Sequence, residues 1–190
     1  MRANKTALLI GGIAALALAS SQSAASVPPY AYITDPALIP PFPDQLPDVG
    51  ANPNSATSVT SRLVAFLATI RKFESNDDYS ILYGGNHFLG FDKYPRINKR
   101  NSAAGAYQIT AATYDDFAPR LGITDFTPNS QDRIAVALLQ NTGAYDAIVS
   151  GDIETAFMLA SRRWASLPGS TAGQNPVALS TAMDTFNRFV

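Results

Sequence analysis

Cysteine is absent from the 190 residues. That excludes disulfides, thiolate nucleophiles and thiolate metal sites. Charge is sparse as well: Asp, Glu, Lys and Arg make up 15% of the chain, below the usual quarter or so of globular sequences. Neither sign dominates, since 14 basic residues meet 15 acidic ones for a formal net charge of -1. The basic face of an electrostatic nucleic-acid binder is missing, so no nucleic-acid partner is expected. Histidine and tryptophan occur once each, as His87 and Trp164. A lone histidine behind a Gly-Gly turn is too isolated for a metal site; it reads as a solvated turn residue, and neither metal nor cofactor is expected. No phosphate loop is visible, and no nucleophile-elbow motif points to a Ser-His-Asp triad. Apolar residues, by contrast, make up 46%. That is enough for a core held by packing alone, which a domain of about 130 residues can sustain.

The first third of the chain does not read as the working domain. Arg2 and Lys5 precede an uncharged stretch whose apolar part, Ala7 to Ala19, has the length of a signal-peptide core. It is shorter than the roughly 20 residues of a membrane span. Ser23 and Ala25 then fit a small-x-small cleavage site. Residues 1–25 are therefore expected to be a signal peptide or an uncleaved signal-anchor. Export to the periplasm, cell wall or medium is expected, with membrane contact only through this segment. Cleavage would remove Arg2 and Lys5, leaving 12 basic and 15 acidic residues, net -3. Eight of the thirteen prolines fall between Pro28 and Pro53. Each removes a backbone donor and fixes φ, so residues 26–57 read as an extended tether without chemistry.

Residues 58–190 carry helical periodicity. Thr60 or Ser61 can cap a helix from Arg62 to about Phe73, with Leu63, Phe66, Leu67, Ile70 and Phe73 on one face. A small hairpin is expected next: Ile81-Leu82-Tyr83, a Gly84-Gly85 turn, and a return strand from Phe88 to Phe91. Helices then resume. Thr110 can cap Ala111 to Leu121, and Thr127-Pro128 opens a helix that Gly143 closes. Asp152 opens a helix through Trp164, and Asn175-Pro176 opens the last. The fold class expected is α+β, mostly helical, with one small hairpin after the first helix.

Glu74 lies four residues after Ile70 and seven after Leu67. On a helix these three share the apolar face. Burial there disfavours the charged form of the carboxyl, and the negative end of the helix dipole acts in the same direction. A carboxylic acid kept protonated near neutral pH is what general-acid catalysis requires. The bland alternative is a glutamate in water at a fraying helix end, paired with Arg71 or Lys72. Asp77, Asp78 and Asp92 are the other acids up to the hairpin; Asp77-Asp78 reads as a solvated turn.

Several blocks around Glu74 carry a resemblance. They are Phe73-Glu74-Ser75, then Tyr83-Gly84-Gly85, then Ser102-Ala103-Ala104-Gly105-Ala106-Tyr107-Gln108-Ile109. Asp125-Phe126-Thr127-Pro128-Asn129-Ser130-Gln131-Asp132, Trp164-Ala165-Ser166-Leu167-Pro168-Gly169 and Gly173-Gln174 follow. In this order, over residues 62 to about 175, they resemble the phage lambda endolysin family of peptidoglycan lytic transglycosylases. The resemblance implies a lysozyme-like domain at 58–190, with Glu74 as sole catalytic acid. It implies peptidoglycan glycan strands as partner and cleavage of the MurNAc-GlcNAc β-1,4 bond to 1,6-anhydromuramic ends. A hydrolytic muramidase is the rival within enzymes, and a catalytically inactive glycan-binding wall protein the rival outside them. A monomer is expected. The candidate substrate contacts are Tyr83, Gly85, Ser102, Tyr107 and Gln108.

Each contact has a plainer alternative. Tyr107 either packs on a sugar ring or belongs to the core. Gln108 either bonds an N-acetyl group or caps the turn before Thr110. Gly84-Gly85 either admits the glycan backbone or simply makes a hairpin turn. Ser102 either bonds Glu74 or sugar, or is a loop serine. Trp164 reads as core rather than as a sugar platform. Two positions depart from the family: Ala106 stands where Arg is frequent, and Tyr94-Pro95-Arg96 stands for His-Pro-Arg.

Overall fold

The computed structural model describes residues 56–96, 103–173 and 175–190. The segments read as signal and most of that read as tether (1–55), together with Ser102 and Gln174, lie outside them. Among the described residues the architecture is helical: α1 (Ala56–Ser75), α2 (Ala111–Arg120), α3 (Pro128–Thr142), α4 (Ala144–Ser150), α5 (Ile153–Ala160) and α6 (Leu179–Asn187).

Local chemistry sets most of the helix ends. The Thr110 side chain accepts the Thr113 amide at the start of α2, and Thr127 accepts the Ser130 amide at the start of α3, ahead of Pro128. Gly143, at φ 79°, closes α3 in the left-handed conformation that glycine tolerates. Three expectations are corrected. α1 begins at Ala56, so Thr60 and Ser61 lie inside it rather than capping it, and the helix reaches two residues into the range read as tether. The helix opened by Asp152 ends at Ala160, not Trp164. α6 starts after Ala178 rather than at Asn175-Pro176. The chain also forms α4, which the sequence pattern did not announce, because Gly143 ends α3 and starts α4 in a single residue.

The small hairpin is corrected too. Among the described residues no strand forms; the region holds isolated antiparallel bridges, Ile81 with His87, Leu82 with Ala104, and Ala104 with Ile109. Gly84 and Gly85, at φ 93° and 88°, do make the turn. On one edge Leu82 N bonds the Asn86 carbonyl at 2.6 Å and Phe88 N the Ser80 carbonyl at 2.9 Å, while the other edge meets Ala103 and Gly105; each pairing stops at a single bridge. Beyond the bridge the chain leaves extended geometry altogether, with Phe88 buried in the core and Gly90 left-handed.

Two aromatic groups organise the interior. Phe66 of α1 stacks on Phe157 of α5 at 4.6 Å and meets Phe186 of α6 edge-on at 6.4 Å. Phe126 collects Phe88, Tyr94 and Tyr114 at 5.8, 4.8 and 5.7 Å. Arg62 of α1 donates to the Ile148 and Val149 carbonyls at 3.0 and 2.8 Å, placing a cation at the negative end of α4. These contacts hold α1 against α4, α5 and α6.

Candidate active site

Glu74 occupies the last turn of α1 with 6% of its surface exposed. Ile70 and Leu67, one and two turns earlier, are buried on the same face. The backbone leaves this helix through Asn76 and Asp77, both left-handed at φ 56° and 69°.

The carboxyl is held from one side. Its Oε1 accepts a hydrogen bond from Ser166 Oγ. Oε2 is buried, and no protein group bonds it. Burial pushes the pKa up to about 7, with hydrogen bonding from Ser166 partly opposing it. No charged neighbour enters that balance. The group can therefore carry a proton near neutral pH, with Oε2 as the oxygen that no protein group bonds.

The other acids in the region are committed elsewhere. Asp77 Oδ1 takes Arg71 Nε at 2.5 Å. Asp78 accepts from the Ser80 amide and hydroxyl, both at 2.8 Å, and from His87 Nε2 at 2.7 Å. Asp92 is exposed. Asp132 lies in a part-buried cluster, accepting from the Tyr79 and Tyr107 hydroxyls at 2.8 and 2.6 Å, with Arg71 Nη1 at 3.8 Å. Among the described residues no group of three His, Asp or Glu side chains could hold a metal ion.

The proposed contacts divide. Tyr107 is only 1% exposed, and its hydroxyl serves Arg71 and Asp132. It presents no ring face to a sugar, so the sugar-packing expectation is corrected to a core role. Gln108 is buried at φ 47°, with its Nε2 donating 3.0 Å to the Gly105 carbonyl. Its amide nitrogen closes its own turn, the plainer of the two readings. Tyr83 is half-buried, and Gly84 and Gly85 are exposed with nothing near either Cβ position. Trp164 is core, donating Nε1 to the Tyr107 carbonyl at 3.0 Å. The two departures from the family are enclosed as well. Tyr94 is buried with its hydroxyl on the Ile109 carbonyl at 2.8 Å, and Ala106 is buried with its amide on Gln131 Oε1 at 2.8 Å.

Sequence reasoning missed two residues. Ser166 is 92 positions from Glu74, and only its place in the Trp164–Gly169 block hinted at a role. Gln131, fully buried, ties Ala106, Tyr79 and Phe126 together through its amide. It also explains Gly105: at φ 74°, a Cβ there would sit 2.0 Å from Gln131 Oε1.

The model of the endolysin family matches residues 64–189. The chain belongs to the endolysin family. It is 36% identical to the endolysin of Escherichia phage lambda over 110 residues, covering 55% of this chain and 70% of that one. It is 37% identical to the endolysin of Escherichia phage P2 over 86 residues, covering 45% and 52%. Among solved structures it resembles bacteriophage lambda lysozyme complexed with a chitohexasaccharide. There the TM-score is 0.64 at 29% identity, over 74% of this chain and 96% of that one. A second structure of the lambda lysozyme gives 0.54 at 28% identity, over 74% and 94%. The fold is thus the mostly helical one of lambda lysozyme, and the endolysin-family chain is a glycan-cleaving enzyme of the lysozyme type.

Proposed function

We propose that this chain is a peptidoglycan lytic transglycosylase, with Glu74 as its catalytic acid and then base. The observation that carries the reading is the carboxyl itself: buried, raised to about 7, and bonded on Oε1 alone. Glycosidases ordinarily divide the work between two carboxylates. Here the acids next to Glu74 along the chain are engaged by Arg71, Ser80 and His87. A route that needs one carboxyl fits that arrangement.

In this route the Glu74 proton passes to the glycosidic oxygen as the C1–O bond breaks. The carboxylate so formed takes the proton of the sugar's own C6 hydroxyl, and that oxygen closes on C1. The product ends in a 1,6-anhydromuramoyl unit, the proton returns to Glu74, and no water is consumed. The attacking oxygen is already tethered to the reacting sugar, which supplies the proximity an enzyme must otherwise arrange. Tyr83 and the exposed Gly84-Gly85 turn are the proposed substrate contacts that remain. The oligosaccharide bound by the lambda lysozyme supports a glycan as the ligand class. We also propose that residues 1–25 direct export and that the prolines of 26–55 form a tether.

Mass analysis of fragments released from purified peptidoglycan tests the reaction. Anhydro ends, lighter by one water than hydrolytic ends, are expected. Reducing, hydrated ends alone would replace this reading with a hydrolytic muramidase using the same acid.

A further inference from the structure

The two oxygens of Glu74 are not equivalent, and the difference comes from a segment remote in sequence. Ser166 stands between Trp164 and Leu167, both buried. Trp164 is fixed by its indole bond to the Tyr107 carbonyl, and Tyr107 is fixed by Arg71, one turn before Glu74 on α1. The Leu167 amide closes the turn on the Trp164 carbonyl at 3.1 Å. Ser166 is therefore delivered to Glu74 by a closed circuit of bonds through the same helix end.

We propose that Ser166 is a positioning residue that occupies Glu74 Oε1 with its hydroxyl. It thereby confines the acidic proton to Oε2, the oxygen left for the glycosidic bond, and sets the pH at which acid catalysis fails. The proposal rests on Glu74 being the acid. A proton placed on Oε1 would compete with the hydrogen bond donated by Ser166, so it favours the unbonded Oε2. Donors to the carboxylate stabilise it, which is the sense in which Ser166 opposes burial. Without the hydroxyl, burial would hold the group neutral to higher pH, giving a weaker acid toward the glycosidic oxygen.

Other ionisable groups around this helix end have their own partners. Arg71 serves Asp77 and Tyr107, Asp132 accepts from Tyr79 and Tyr107, and Lys72 bonds Asn76. On the Ser166 segment, Arg163 bonds Asn141 and Arg162 is exposed. The alkaline limb of activity is thus left to Glu74 and its serine.

The test is the pH profile of kcat/KM on isolated cell walls, read beside a carboxyl-carbon NMR titration of Glu74 that requires no activity. Ser166→Ala should move both the alkaline limb and the titration upward by about one pH unit, the size expected from one charge-assisted hydrogen bond. Ser166→Thr, which keeps the hydroxyl, should return both toward the native position. A titration that stays in place or moves down in Ser166→Ala overturns the proposal, even if activity falls. If Glu74→Gln kept full activity, the catalytic reading would fail, while the titration would still decide whether Ser166 governs the proton.

Discussion

Holding Glu74 neutral has a cost in stability that can be measured without substrate. The carboxyl titrates near 4.5 in an unfolded chain and at about 7 in the fold. Between those values the native state binds the proton and the unfolded state does not, so native stability falls as pH rises through that window. Below about pH 4 both states are protonated and the residue contributes no penalty. Above about pH 8 the fold carries a buried carboxylate, at a cost of about 3 kcal/mol for a displacement of this size. Glu74→Gln removes the titration. The amide adds its own constant effect on Oε2's surroundings, but every other ionisable group cancels between the two proteins. The difference in stability between variant and native should therefore move toward the variant as pH rises. For a domain of this length the change in Tm difference should be on the order of 10 °C across the window. Thermal unfolding followed by circular dichroism at a series of pH values measures it. A Tm difference that stays constant with pH would refute the claim that burial keeps this carboxyl protonated.

Gly105→Ala should cost about 3 kcal/mol or more in urea unfolding, through left-handed strain and loss of the buried Gln131 hydrogen bonds; a wild-type midpoint would show that the contact is not restrictive. Asp77→Asn, Asp78→Asn and Asp92→Asn should each leave most of the lytic rate intact; a loss from any of them comparable to that of Glu74→Gln would identify a second essential carboxylate. A chain beginning at Ala56, the start of α1, should fold and degrade cell walls comparably to the full chain; failure to fold would show that the tether packs on the domain. Expressed with residues 1–25 in place, the protein should reach the periplasm or medium with an N-terminus near Ser26; an intact Met1 on membranes would indicate an anchor, and recovery from the cytosol alone would contradict export.

What was legible in the sequence was the local chemistry. Thr110, Thr127-Pro128, Gly143 and Asp152 mark helix ends through bonds that reach only a few residues, so their identity is sufficient. Glu74 was legible for the same reason: its spacing from Leu67 and Ile70 fixes a shared face, and that face is buried. What could not be read depends on distant partners. The Ser166 bond to Glu74 spans 92 residues, and the burial of Tyr107 follows from Asp132 and Trp164. The expected hairpin shrinks to one bridge, Ile81 with His87, and its other edge meets Ala104, a partner more than 20 residues on that no local pattern records. α4 escaped notice because Gly143 reads locally as a helix end, and in the fold the same residue also starts the next helix.

The central claim is that Glu74, and no other group, supplies the proton. The turnover of Glu74→Gln on purified cell walls tests it most directly, because glutamine keeps the shape and the acceptor for Ser166 but has no acidic proton. The account predicts a rate at least ~100-fold below wild type, the usual minimum for a lost general acid, with an unchanged circular dichroism spectrum. A folded Glu74→Gln protein that degrades cell walls at the wild-type rate would contradict it.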